Sequence, residues 1–257
     1  MNPIATLGHY TLETLREIGR VAIFAARGLK SCFVPPFFWR EIFRQIMQIG
    51  FYSLPIVGLT AFFAGVVIAL QTYVGFTRFN AEGAVATVVL ITITRELGPV
   101  FAGLMVAGRV SSSIAAELGA MKVSEQIDAL MTLRVDPYKF LVAPRIIAGT
   151  LTLPVLVLIC DIIGIMGGFL ISVTRLEFSI GTYLNQTMTN FVMMDLVSGL
   201  VKAAFFGFTL VIFGCYYGFN SELGARGVGN ATTNAVVFAC ICIFILNSLL
   251  TALFFGI

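Results

Sequence analysis

Charged residues are scarce in this sequence. Aspartate, glutamate, lysine and arginine together make up 11% of the 257 residues, whereas an ordinary soluble domain carries about 25%. Hydrophobic residues make up 58%, and the mean hydropathy is +0.97. The composition therefore excludes an ordinary soluble domain and predicts a protein that crosses a membrane several times.

The residues and motifs of common enzyme chemistry are also lacking. There is one histidine, His9, and the five cysteines show no metal or redox spacing, so we interpret the cysteines as structural. The sequence contains no GxxxxGK phosphate loop, no HExxH metal motif and no GxSxG nucleophile elbow. We expect a chain that is not an enzyme, hydrolyses no nucleotide itself, holds no metal or cofactor and has no nucleic-acid partner.

Five apolar runs are long enough to cross a bilayer. They cover roughly residues 51–77, 84–108, 146–173, 196–219 and 233–256, and each exceeds the roughly 20 residues that a spanning helix needs. Outside these runs, twelve lysines and arginines lie on the side that carries residues 1–50, 109–145 and 220–232, and only Arg78 and Arg175 lie on the other side. This bias predicts a cytoplasmic N-terminus.

Two amphipathic segments precede the first run. Apolar residues recur at three- and four-residue steps from Ile4 to Ala25, and residues 38–48 repeat the pattern with Trp39 on the apolar face. We predict two helices in the cytoplasmic membrane interface; the alternative is packing against the bundle. The predicted fold is an all-α membrane protein with a single domain over residues 1–257, in which interfacial helices (1–50) precede a transmembrane bundle (51–257).

An Arg-Glu pair, Arg95 and Glu96, lies in the middle of the second run. A charge at this depth costs at least about 2.5–3.5 kcal/mol on insertion scales, so such residues usually face the protein interior or a water-filled path. Pro99 has no N–H and displaces the carbonyl of residue 95, which breaks the helix and requires neighbours or water to satisfy it. The combination favours a transport path over a passive membrane anchor.

Three further charged residues lie within the apolar runs: Asp161, Asp195 and Lys202. At 1.5 Å per residue, Lys202 and Glu96 reach comparable depths and could form an ion pair. Asp195 could pair with Arg78, Arg175 or Lys202, whereas no partner can be named for Asp161. The pattern is compatible with an ion-paired lock between the second and fourth runs, and with a polar lining of a cavity that meets charged lipid headgroups.

Toward the outer end of the first run, aromatic residues form a mildly polar band: Gln71, Tyr73, Phe76 and Phe79. An aromatic belt at the membrane interface explains them, and an apolar pocket for acyl chains would use the same residues.

The connection between the second and third runs contains a short amphipathic helix. Ser124 precedes the segment EQIDAL (125–130) in the manner of a capped helix, and Asp136-Pro137 follows as a turn. This helix is well placed to dock onto a soluble partner, or it is a solvated loop helix without one.

Three long stretches carry a family resemblance. RELGPV from Arg95, AGRVSSSIAAELGAMKVSEQIDAL from Ala107 and VDPYKFLVAPR from Val135 closely resemble the MlaE family of ABC-transporter permeases, over essentially the whole chain. The resemblance implies a homodimer in the bacterial inner membrane that moves phospholipids between inner and outer membranes and supports outer-membrane lipid asymmetry. The implied partners are a cytoplasmic ATPase pair that binds ATP, an MCE-domain protein and often a small STAS-domain protein.

The resemblance also implies residue roles. The segment from Glu117 to Leu130 resembles the coupling helix on the ATPase, and Glu125, Gln126 and Asp128 would face that partner. A polar network near the lipid cavity would comprise Arg95, Glu96, Asp195 and Lys202, with Tyr73, Phe76 and Phe79 in the cavity wall. ATPase closure would bend the second run at Gly98 and Pro99.

Two other classes of function remain open from the residues. In a proton-coupled secondary transporter or channel, Glu96, Asp161 and Lys202 would form a proton relay. In a membrane scaffold for an MCE protein, Glu96 and Lys202 would serve assembly only.

Overall fold

The computed structural model describes residues 3–77 and 84–256, and this part of the chain is helical throughout its regular structure. The helices are α1 (Pro3–Phe33), α2 (Trp39–Ile49), α3 (Leu54–Thr77), α4 (Val85–Thr92), α5 (Gly98–Val106), α6 (Ser112–Val123), α7 (Gln126–Thr132), α8 (Ala143–Thr174), α9 (Ile180–Thr189), α10 (Met193–Phe219) and α11 (Ala225–Phe255). The predicted all-α class is confirmed.

Five helical segments of the described chain are long and apolar enough to cross a membrane. They are span 1 (Trp39–Thr77), span 2 (Val85–Val123), span 3 (Tyr138–Thr174), span 4 (Met193–Phe219) and span 5 (Ala225–Phe255). The predicted number of spans is confirmed, but several bounds differ. Because α2 runs into α3 through a 3-10 turn, and α6 continues the second helix, spans 1 and 2 reach 39 residues each. At 1.5 Å per residue they exceed the bilayer core.

Helix α1 lies along the end of the bundle that carries α7, which we call the basic end. Its C-terminal half packs on the bundle through the buried Phe24, whose ring lies 5.2–5.8 Å from those of Tyr138, Tyr216 and Phe219. Farther toward the N-terminus, the side chains of Leu15 and Ile18 are exposed, as expected of a helix that meets lipid. The side chains of residues 1–8 lie outside the described part.

Small residues bring the spans into close contact. Gly65 of span 1 faces Gly164 of span 3, and Gly149 of span 3 faces Gly207 of span 4; a Cβ atom at Gly65 or Gly207 would collide with the opposing backbone. Such contacts let helices approach without bulky side chains between them. They hold spans 1, 3 and 4 together and leave span 2 packed against all three.

Span 2 changes its helical geometry twice without a break in the chain direction. Residues Ile93–Leu97 and Ala107–Ser111 form π-helical turns, with α5 between them. Pro99 is the second residue of α5, so the break expected there is instead a widened turn that ends directly before Gly98. A π-helical turn carries one extra residue and often marks a functional site.

Candidate functional site

Lys202 is completely buried in span 4, with 0% of its side chain exposed. Its Nζ atom donates to Glu96 Oε1 at 2.9 Å, to the carbonyl oxygen of Arg95 at 3.0 Å and to Thr251 Oγ1 at 2.7 Å. These contacts use all three donors of a lysine ammonium group. A buried charge is therefore fully satisfied between three spans.

The acceptor at Arg95 exists because of Pro99. In a regular α-helix the N–H of residue 99 would donate to the carbonyl of residue 95, but proline has no N–H. Lys202 takes that place from a neighbouring helix at 3.0 Å. The proline predicted to disturb span 2 thus removes a helical donor from the carbonyl of Arg95, which accepts one of the three hydrogen bonds of the buried ammonium group.

Span 5 completes the site with two neutral polar residues. Asn247 Nδ2 donates to Glu96 Oε2 at 3.0 Å, and Thr251 Oγ1 lies 3.0 Å from Glu96 Oε1. We call Glu96, Lys202, Asn247, Thr251 and the Arg95 carbonyl the Lys202 network. The predicted proximity of Glu96 and Lys202 is confirmed, whereas sequence reasoning missed Asn247 and Thr251. Their spacing of four residues, which places both on one helix face in the mostly apolar C-terminal half of span 5, was the available signal.

The other predicted members of the network lie differently. The guanidinium of Arg95 forms no ion pair with Glu96 and lies 3.0 Å from the centroid of the Phe255 ring, a cation–π contact. Asp195 is half-buried at the start of α10, and it forms no ion pair with the charged residues that the structure describes. Pairing of Asp195 with Arg175 or Lys202 is therefore not seen, and Arg78 lies outside the described residues.

The predicted aromatic band belongs to a second cluster. Tyr73 and Phe76 pack against the buried side chains of Ala69, Val85 and Val89, apart from the Lys202 network. The ring of Tyr73 meets that of Phe178 at 6.0 Å in an edge-to-face contact. Phe79 lies outside the described residues.

Asp161 of span 3 is buried, and only 3% of it is exposed. Neither carboxyl oxygen has a hydrogen-bond partner within the described part of the chain. The carboxyl group lies directly against Gly98, where a Cβ atom would collide with Asp161 Oδ1, and Cys160 Sγ lies 3.7 Å from the Gly98 carbonyl. Gly98 is therefore a point of contact between spans 2 and 3 as well as the residue that follows the π-helical turn.

The predicted short helix at the basic end is α7. Glu125, Gln126 and Asp128 are exposed, while Ile127 is buried toward the bundle. The predicted cap is wrong: Ser124 Oγ donates back to the carbonyl of Ala120 at 2.8 Å and ends α6. Glu125 instead begins α7 in a left-handed conformation, with φ at 58°. The exposed apolar residues Val123, Met131 and Leu133 surround this acidic edge.

Glu117 is bound within the chain. Its Oε2 lies 2.9 Å from Nη2 of Arg145, which is 3% exposed and also donates to the carbonyl of Leu141. This ion pair joins span 2 to the start of span 3. Glu117 therefore has a structural contact within the chain, while 42% of its side chain remains exposed. The role of its segment in ATPase coupling stays a prediction.

The cysteines have ordinary structural surroundings. All five are free thiols, and burial raises the pKa of Cys32 to about 11, so this thiol remains protonated at neutral pH. Within the residues that the structure describes, no group of three or more histidine, cysteine, aspartate or glutamate side chains is arranged to hold a metal ion.

Comparison with known proteins gives consistent matches over most or all of the chain. A family model described as "Permease MlaE" matches residues 42–253. A probable ABC transporter permease protein of Rickettsia bellii is 51% identical over 100% of this chain and 99% of the relative. The intermembrane phospholipid transport system permease protein MlaE of Haemophilus influenzae is 33% identical over 100% of this chain and 98% of its own length. A probable ABC transporter permease of Synechocystis is 38% identical, with 84% of this chain and 82% of the relative covered.

Proposed function

The chain belongs to the MlaE permease family, and on this basis we propose that it is the membrane-spanning permease subunit of an ABC transporter. Its substrate is phospholipid, moved between the inner and outer membranes to maintain outer-membrane lipid asymmetry. The relative from Haemophilus influenzae is named for intermembrane phospholipid transport, and five spans of the described chain suit a multi-pass permease.

The observation that carries this proposal is the Lys202 network. A lysine and a glutamate within membrane spans are costly unless they are paired or meet a polar path. Here they join spans 2, 4 and 5 next to a π-helical turn and a proline. The pair holds the bundle closed and gives a phospholipid phosphate a buried cation to meet when span 2 moves. Gly98 and Pro99 form the hinge of that movement.

The energy source lies in partner subunits. The sequence contains no phosphate loop, so ATP is bound by a cytoplasmic ATPase pair that docks on α7 through Glu125, Gln126 and Asp128. The exposure of these three side chains beside apolar residues supports this docking surface. The full assembly holds two copies of this chain, an MCE-domain protein and a STAS-domain protein.

The proposed location is the bacterial inner membrane with a cytoplasmic N-terminus. The clustering of lysine and arginine at the basic end supports this orientation, because such residues are enriched in cytoplasmic loops. The basic end then faces the ATPase, and α9 lies on the outer side.

A proton relay is less well supported. A relay through Glu96, Asp161 and Lys202 needs a chain of hydrogen bonds, and Asp161 makes none with the described residues. A proton-coupled mechanism is favoured by Asp161 in one respect: its carboxyl group is buried and has no hydrogen-bond partner among the described residues.

Transfer of labelled phospholipid between proteoliposomes tests the proposal. The chain is reconstituted with its ATPase and MCE partners, and transfer is measured with ATP, with a non-hydrolysable analogue, and with a proton gradient alone. We expect transfer only with hydrolysable ATP. Transfer driven by the proton gradient in the absence of ATPase would refute the ABC permease and support the relay.

A further inference from the structure

Two recesses lie against opposite faces of the C-terminal end of α1. The basic cavity has a volume of about 430 Å³ and is lined by Arg27, Lys30, Ser31, Asp136, Tyr138 and Lys139. The apolar groove has a volume of about 470 Å³ and is lined by Leu29, Phe33, Ile146, Ile147, Leu151 and Phe205, among others. Both volumes lie within the range of small-molecule sites, about 300–1,000 Å³.

The basic cavity carries uncompensated positive charge. Arg27, Lys30 and Lys139 form no ion pair with the described residues. Lys139 Nζ donates once, to the carbonyl of Pro35 at 3.1 Å, and keeps two donors free. Asp136 is the one acid in the lining, and its Oδ1 accepts the N–H of Tyr138 at 2.9 Å. The balance of three cations against one acid favours an anionic ligand.

The two recesses are stacked along span 3. The basic cavity meets this span at Tyr138 and Lys139, and the apolar groove meets it at Ile146, Ile147 and Leu151. From Lys139 to Ile147 the helix rises about 12 Å at 1.5 Å per residue, and to Leu151 about 18 Å. The charged recess therefore lies at the basic end, and the apolar recess lies deeper in the membrane.

Helix α1 lies between the two recesses and presents a different face to each. Arg27, Lys30 and Ser31 recur at three- and four-residue steps and face the basic cavity, whereas Leu29 and Phe33 lie on the side of the groove. At the helix end, Val34 lines the basic cavity and Phe33 lines the groove, and both are exposed, so apolar surface lies between the two recesses. A molecule with an anionic head and an apolar tail fits this arrangement.

We propose that the end of α1 and the start of span 3 form a binding site for an anionic phospholipid of the cytoplasmic leaflet. The phosphate of its headgroup contacts Arg27, Lys30 and Lys139, and an acyl chain occupies the apolar groove. Basic pockets between membrane helices on the cytoplasmic side bind such headgroups. The site is separate from the Lys202 network, and it rests on the proposed function only for the orientation of the basic end.

Lipid binding to the purified full chain tests the site without a transport assay. Native mass spectrometry in detergent compares phosphatidylglycerol with phosphatidylcholine of the same acyl chains, for the wild type and for the combined variant Arg27→Gln, Lys30→Gln, Lys139→Gln. The matched control is Arg16→Gln, Arg40→Gln, Arg44→Gln, which removes three charges from exposed positions of α1 and α2. We expect phosphatidylglycerol to bind about tenfold more tightly in the wild type and the control, and the preference to vanish in the cavity variant.

Two further measurements separate the sources of the phosphate. The first is competition: inorganic phosphate at millimolar concentration should displace little phosphatidylglycerol if the acyl chain contributes to binding. The second is the variant Ile147→Asn, which should weaken the binding of both lipids and leave the preference for phosphatidylglycerol intact. Equal binding of the two lipids, or a preference that survives in the cavity variant, would overturn the site. Full displacement by inorganic phosphate would instead identify a soluble-anion site. If the cavity variant is not monodisperse, the exposed single variant Lys30→Gln carries the same comparison.

Discussion

Pro99 and Lys202 are linked through one atom, the carbonyl oxygen of Arg95. The proline removes the helical donor that this carbonyl would have, and the lysine of span 4 donates to it at 3.0 Å. A residue that weakens span 2 internally thus creates its attachment to span 4. The contact lies beside the π-helical turn Ile93–Leu97, so we expect any movement of span 2 to be coupled to rearrangement around Lys202.

Replacement of Pro99 by alanine should stiffen span 2. Alanine restores an N–H that competes with Lys202 for the Arg95 carbonyl, and we expect the free energy of unfolding to rise by about 1 kcal/mol while lipid transfer falls severalfold. Hydrogen exchange of residues 97–103 should slow. Pro154→Ala is the control, because Pro154 also lies inside a membrane span, where alanine restores a helical N–H, but it takes no part in the Lys202 network. Faster exchange in Pro99→Ala would contradict this account.

A double-mutant cycle measures the ion pair between Glu96 and Lys202. Lys202→Met leaves Glu96 without its cation and should lower the free energy of unfolding by about 3 kcal/mol, the low end for a broken buried pair, since 31% of Glu96 is exposed. The double variant Glu96→Gln, Lys202→Met should recover most of that loss. Unfolding is followed in detergent with denaturant. Additive effects of the two changes would show that the pair is not coupled.

The hydroxyl of Thr251 bridges the two charged groups. Thr251→Val keeps the shape of the side chain but removes contacts to Lys202 and Glu96 at 2.7 and 3.0 Å, and it should cost about 1–3 kcal/mol because a buried donor loses its acceptor. Ser248→Ala is the matched control on span 5, since that hydroxyl donates to the carbonyl of Phe244 in its own helix and belongs to none of the contacts of the Lys202 network. The measurement is the thermal unfolding midpoint of each variant. Equal midpoints for Thr251→Val and Ser248→Ala would show that Thr251 does not stabilise the Lys202 network.

Substitutions of Glu117 and Glu125 should have different effects, the first on the stability of the chain and the second on its coupling to the ATPase. Glu117→Gln leaves Arg145, which is 3% exposed, without its ion-pair partner, so we expect a loss of about 3 kcal/mol in stability. Glu125→Lys changes an exposed residue of the α7 region and should leave the unfolding midpoint within about 0.5 kcal/mol. In the reconstituted complex, Glu125→Lys should uncouple ATP hydrolysis from lipid transfer. If Glu117→Gln kept its stability but showed the same uncoupling, the main role of Glu117 would be contact with the ATPase and not the ion pair with Arg145.

Most of the fold could be predicted from the sequence, because long apolar runs show directly how many membrane spans there are and roughly where they lie. Their bounds were less accurate at the basic end, where amphipathic segments such as α2 and α6 continue the apolar helices without a change of direction. Depth along a helix was sufficient to bring Glu96 and Lys202 together. Depth alone does not determine which helices are neighbours, and for this reason Asp195 was placed in a network that it does not join.

The missed residues are neutral and polar. Asn247 and Thr251 differ little from other polar residues in membrane helices, and only the packing of span 5 against spans 2 and 4 turns them toward Glu96. The ion pair between Glu117 and Arg145 likewise depends on how spans 2 and 3 meet at the basic end. The spacing of Asn247 and Thr251 shows that they share a helix face, but it does not identify the helix that this face contacts.

The most direct measurement of the account is lipid transfer by the double variant Glu96→Gln, Lys202→Met. This variant keeps the size of both side chains and leaves no unpaired charge, so it should fold and bind its partners. Reconstituted with the ATPase and MCE subunits, it should hydrolyse ATP but transfer phospholipid at least about tenfold more slowly than the wild type, because a charged contact to substrate is lost. Transfer at the wild-type rate would show that the Lys202 network only holds the spans together.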